Sequence, residues 1–158
     1  MSTRNLLFGC IAECPGPIAE RERFDRLLAH NREVVAALPA EYEWPPLTRN
    51  MFSRTAAEYG EPGFHKSPTL HFGASFRGVD ADDWAEWLGK LEALLRQLYW
   101  EFAFAHLIVE PGRRDPRRNG IACTWAATSD VIERVFLRGD ERPMDEWLFS
   151  SSIDGAQP

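Results

Sequence analysis

A chain of 158 residues is long enough for one domain and short for two. Its 44% apolar and 12% aromatic content supplies a core and excludes disorder as the default reading. A formal net charge of −6 argues against a nucleic-acid binder, which needs a basic face, and suits a basic protein partner.

The first predicted element is the apolar run Asn5 to Glu13, read as a central strand with both faces buried. Pro15-Gly16-Pro17 turns the chain, and a helix follows. Phe24, Leu27, Leu28, Asn31, Val35 and Leu38 recur at helical spacing until Pro39 ends it. Residues 40–68 hold a stiff Trp44-Pro45-Pro46 segment, and residues 47–57 read as either a strand or irregular chain.

Thr69 to Arg77 alternates cleanly. Leu70, Phe72, Ala74 and Phe76 point one way, and Thr69, His71, Gly73, Ser75 and Arg77 the other. Asp80 is placed to cap the next helix, with Asp83 as the acid of a capping box. Trp84, Trp87, Leu88, Leu91, Leu94, Leu95 and Leu98 form its apolar stripe. Glu86 with Lys90 and Glu92 with Arg96 are i,i+4 pairs on its other side.

Phe102 to Glu110 and Gly120 to Thr128 read as a hairpin with a long tip. Val131 to Leu137 fits a helix by capping and a strand by alternation. Met144 to Phe149 reads as a short helix, and residues 151–158 as a flexible tail after a single domain over 1–150. The element order predicts an α+β fold, a mainly antiparallel sheet with two principal helices on one face. If residues 47–57 contain a strand, the first six elements make a ferredoxin-like split βαβ, with an added C-terminal hairpin.

Three cysteines (Cys10, Cys14, Cys123) are too few and too unevenly spaced for a disulfide framework or a zinc site. The short apolar run after Arg4, broken by Glu13, leads us to expect no signal peptide, and no stretch approaches the roughly 20 apolar residues of a membrane span. The expected compartment is the cytoplasm.

The polar constellations are weak as chemistry. His71, Ser75 and Arg77, with His106 or Glu110 from a neighbouring strand, can line a small-molecule face, as a base, a hydroxyl and an anion clamp. No nucleophile elbow surrounds Ser75, and no acid is evident to orient His71. The four histidines lack metal-ligand spacing, and the glycines form no phosphate-binding loop. No metal and no cofactor are expected. The cationic run Arg113 to Arg118 reads first as a solvated hairpin tip and only secondarily as an anion clamp. Tyr42, Glu43, Trp44, Glu58, Tyr59 and Glu61 put acidic and aromatic side chains on a proline-stiffened loop, a surface suited to a basic protein.

The stretches Leu7-Phe8-Gly9-Cys10-Ile11, Leu70 to Phe76, and Trp84-x-x-Trp87 leading to Leu98-Tyr99-Trp100 resemble those of small cytosolic immunity proteins of bacterial toxin systems. The resemblance spans most of the chain but rests on structural motifs, so no functional residue carries over. It implies a single acidic α+β domain, not an enzyme, that covers a toxin's active site. The sequence therefore points first to a non-catalytic protein-binding domain with a basic toxin domain as partner. A small-molecule sensor or enzyme using the His71 face is the alternative, and a nucleic-acid accessory role for the Arg113–Arg118 loop comes last.

Overall fold

A computed structural model of the chain describes residues 4–13, 21–41, 43–55, 68–109 and 120–153. The elements begin with β1 (Arg4–Ala12), α1 (Arg21–Ala36), a 3-10 turn (Arg49–Met51) leading into β2 (Phe52–Thr55), and β3 (Thr69–Arg77). They continue with α2 (Ala81–Leu95), β4 (Phe102–Val109), β5 (Gly120–Ala127), α3 (Ser129–Ile132) extended by a π-helical turn (Glu133–Leu137), and β6 (Trp147–Ile153). The six strands form one sheet in the order β2-β3-β1-β4-β5-β6, and every neighbouring pair is antiparallel. The fold is α+β. From β1 to β4 it has the split βαβ order of a ferredoxin-like fold, which β5 and β6 extend on one side.

Local chemistry explains α2. The Asp80 carboxylate accepts the Asp83 N–H at 2.9 Å, and the Asp83 carboxylate accepts the Asp80 N–H at 3.2 Å, closing the capping box. Trp84, Trp87, Leu91, Leu94 and Leu95 are buried against the sheet, and the Trp87 ring meets Phe72 at 5.8 Å. Indole N–H groups inside the fold find acceptors: Trp87 on the Pro46 carbonyl (2.9 Å), Trp100 on the Leu95 carbonyl (2.8 Å), Trp125 on Glu92 (3.0 Å). Of the two expected helix-surface pairs, Glu86–Lys90 forms at 3.8 Å. Glu92 instead takes the Trp125 indole, and the Arg96 guanidinium lies 4.5 Å from the centre of the Trp147 ring.

Helix α1 buries Phe24, Leu27, Leu28 and Asn31 beside α2. Asn31 is the polar tie of the core. It accepts the Tyr99 N–H (2.9 Å) and donates to the Tyr99 carbonyl (2.8 Å) and to Glu13 (3.2 Å). Glu13, wholly buried after β1, is paired at two points with Arg54 of β2 (2.9 and 2.5 Å). One side-chain network therefore joins the end of β1, the middle of α1, β2 and the chain leaving α2. Gly9 lets the centre of the sheet close: a Cβ there would overlap the Phe104 carbonyl and the Phe72 ring.

Three expectations are corrected. β1 is central, but it alternates exposed and buried residues instead of burying both faces, because the helices cover only one side. Residues 147–149, read as part of a helix, belong to β6: Trp147 and Phe149 face the helix side and pair with Ala127 and Trp125 of β5, a non-local contact that outweighs the local pattern. β6 also runs to Ile153, into the segment read as a tail. The ambiguous residues 131–137 are helical, started by the Thr128 hydroxyl accepting the Val131 N–H at 3.4 Å.

Candidate functional site

The sheet has a second face, which the two long helices leave open. Strand periodicity puts Leu6, Phe8, Cys10 and Ala12 of β1 on it. Register then fixes their neighbours: Leu6 lies between Ser75 and Ile108, Phe8 between Gly73 and His106, Cys10 between His71 and Phe104, and Ala12 between Thr69 and Phe102. On this face the two middle strands, β1 and β4, therefore present a continuous apolar stripe. Phe8 packs edge-on to Phe104 at 5.9 Å and against the His106 ring at 5.1 Å. Leu6, Phe8 and Phe102 each keep about two-fifths of their surface in solvent (42%, 41%, 41%), and Leu148 of β6 keeps 69%.

Polar groups flank the stripe. On the β2–β3 side the Thr55 hydroxyl meets the His71 ring at 2.7 Å, and Arg4 donates to the Ser75 hydroxyl at 3.1 Å. Arg4 also stands opposite Arg77, so two like charges share that corner. On the β5–β6 side Thr124 and Ser150 share a hydroxyl hydrogen bond of 2.6 Å. An apolar centre therefore lies inside a hydroxyl and cationic rim.

His71, Ser75 and Arg77 do share the open face, as the alternation predicts, and His106 joins them there. They do not converge. His71 and Ser75 are four residues apart on one strand, about 13 Å. His106 lies two strands from His71, against Phe8. Among the described residues no group of three or more His, Cys, Asp or Glu is placed to hold a metal ion. Burial pushes the Cys10 and Cys123 thiols up, Cys123 despite a hydrogen bond from Ser151 and aided by the Glu92 charge, so both disfavour the reactive thiolate.

Of the acidic-aromatic loop, Glu43 and Trp44 are described, whereas Tyr42, Glu58, Tyr59 and Glu61 lie outside the described residues, as do Glu110 and Arg113 to Arg118. Trp44 is partly committed to the fold. Its indole N–H goes to Asp83 (2.8 Å), and its ring stands edge-on to Phe76 at 5.8 Å. Lys90 donates to the Pro45 carbonyl at 2.7 Å and lies 3.5 Å from the Glu43 carbonyl, so the prolines are strapped along α2. Glu43 itself is exposed.

The stripe of Leu6, Phe8, Phe102, Phe104 and Ile108 escapes sequence reading. Its only signal is the apolar run of β1 from Leu6 to Ala12 and the scarcity of polar residues in β4, where His106 alone is polar, and this reads equally well as burial on both sides. Among the described residues no helix is long and apolar enough to cross a membrane. Comparison with protein-family models, with curated proteins and with solved structures returns no match to the chain.

Proposed function

We propose that the chain is a non-catalytic protein-binding domain that receives a basic toxin domain on the open face of its sheet, in the manner of an immunity protein. The observation that carries this reading is the apolar stripe of β1 and β4, centred on the sheet face that α1 and α2 leave uncovered. An antiparallel sheet with one free face ordinarily turns polar residues to water there, and contiguous exposed apolar surface marks an interaction site. Leu6 and Phe8 on β1 and Phe102 on β4, each partly exposed, supply apolar side chains for the centre of a contact.

Charge acts at two ranges: the net charge of −6 steers a basic protein from a distance, whereas Arg4 and Arg77 repel it at one corner of the face, so the stripe supplies the contact. The catalytic alternative has less support, because His71 and Ser75 are held by Thr55 and Arg4 and stand apart.

The test is co-expression with the product of the adjacent gene. The expected result is a stable one-to-one complex and loss of that product's toxicity. A non-toxic neighbour, or a chain that self-associates through this face in sedimentation, contradicts the reading.

A further inference from the structure

At the β2 edge, on the helix side of the sheet, a pocket of about 330 Å³ opens between α1 and the 3-10 turn that precedes β2. Three arginines line it, Arg32 from α1, Arg49 from the turn and Arg54 from β2, together with Val35, Phe52 and Leu70. This concentration of cations is unexpected on a chain of net charge −6.

The three guanidiniums are not equivalent. Arg54 is neutralised and fixed by its two-point pair with the buried Glu13, which Asn31 also holds. Arg32 and Arg49 are exposed and have no carboxylate partner among the described residues. Among the described residues the pocket thus offers two positive charges without a carboxylate partner, beside the Arg54–Glu13 pair and an apolar floor. A guanidinium presents a planar fork of donors that matches phosphate oxygens, and such charge-assisted bonds are the strong ones. Two cations with no carboxylate partner among the described residues balance a phosphate monoester, which carries about −1.5 to −2 at neutral pH. A monocarboxylate would leave one unmatched. The volume lies at the small end of the ~300–1,000 Å³ range of ligand sites.

We propose that this pocket binds a small organic phosphate monoester. Arg32 and Arg49 clamp the phosphate, and Val35, Phe52 and Leu70 seat the apolar body. The site lies on the opposite side of the sheet from the protein-docking stripe and stands or falls without it.

Calorimetry on the full chain at low salt tests the proposal, with phenyl phosphate as the probe and phenol as the uncharged control. The expected result is saturable one-to-one binding of phenyl phosphate and none of phenol. Arg32→Gln and Arg49→Gln should each weaken binding by about tenfold or more, since each removes a hydrogen bond to a charged group. Both residues are exposed, so the urea midpoints of the variants should match the parent. No saturable binding of phenyl phosphate up to about 10 mM, well above the ~1 mM expected of a weak site, overturns the proposal. So does binding that both variants leave unchanged.

Discussion

On the covered face of the sheet Leu7, Ile11, Phe72, Leu107 and Trp125 are all but sealed from solvent. One residue along the same strands, Leu6, Phe8 and Phe102 keep about two-fifths of their surface open (42%, 41%, 41%). Their side chains are as apolar as those of the core, so composition does not separate the faces. The second layer does: α1 and α2 lie on one side, with Phe24, Leu27, Trp87 and Leu91 as their buried contribution. A strand's period of two assigns each side chain to a face, but only a packed neighbour turns that face into core. The open side retains the character of an interior without its partner.

Substitutions that separate the faces give the sharpest tests. The largest effect belongs to the covered side, where Glu13→Ala leaves Arg54 and Asn31 facing a buried void. Removing one member of a buried pair should lower unfolding free energy in urea by about 3–5 kcal/mol. Leu91→Ala, at a site with no exposure, should lose about 2–5 kcal/mol in the same assay.

Two glycines then sharpen the contrast. Gly9→Ala drives a methyl into the Phe104 carbonyl and the Phe72 ring, and should cost about 3 kcal/mol, the upper end for overpacking. Gly73→Ala on the open face meets only the Leu7 carbonyl at 3.3 Å. That mild crowding is offset by the ~0.5–1 kcal/mol by which alanine is favoured over glycine in a strand, so its urea midpoint should hardly move. Equal losses at the two glycines would break the distinction between the faces.

The smallest effect is electrostatic. Hydrogen bonds from Arg142, side chain and backbone, and then from Arg134 hold the Asp140 carboxyl well below the usual carboxylate range. A depressed carboxyl contributes stability above its unfolded pKa of about 3.9 and loses it as pH falls toward the folded value. Asp140→Asn should therefore lower the melting temperature slightly on the neutral plateau, with the difference from the parent closing as pH falls through the acid limb. An unaltered acid limb would assign the ion pairs no part in stability.

Elements governed by local chemistry are legible in the sequence. The cap of Asp80 with Asp83, the stripe of α2 and the alternation of Thr69 to Arg77 give the helix and the strand directly, because each is decided within a few residues. β6 is not legible. Trp147-Leu148-Phe149 carries no alternation, and its conformation comes from pairing with β5, twenty or more residues earlier. The candidate site is half legible: His71, Ser75 and Arg77 fall on the open face as the alternation demands, but nothing in β1 or β4 says which of their apolar residues a helix will cover. Arg32, Arg49 and Arg54 form no motif in the chain and meet only when α1 and β2 pack side by side.

On the proposed function, the open stripe of β1 and β4 receives the partner. Calorimetric affinity for the adjacent-gene product, measured on Phe8→Ser and Leu148→Asp beside the parent chain, tests it most directly. Loss of a central aromatic anchor should weaken binding by at least about 30-fold, with the urea midpoint of Leu148→Asp, 69% exposed in the parent, shifted by no more than a surface change allows, about 0.5 kcal/mol. Full affinity in both variants, with binding lost instead on Trp44→Ala, would contradict the account and move the contact to the proline loop.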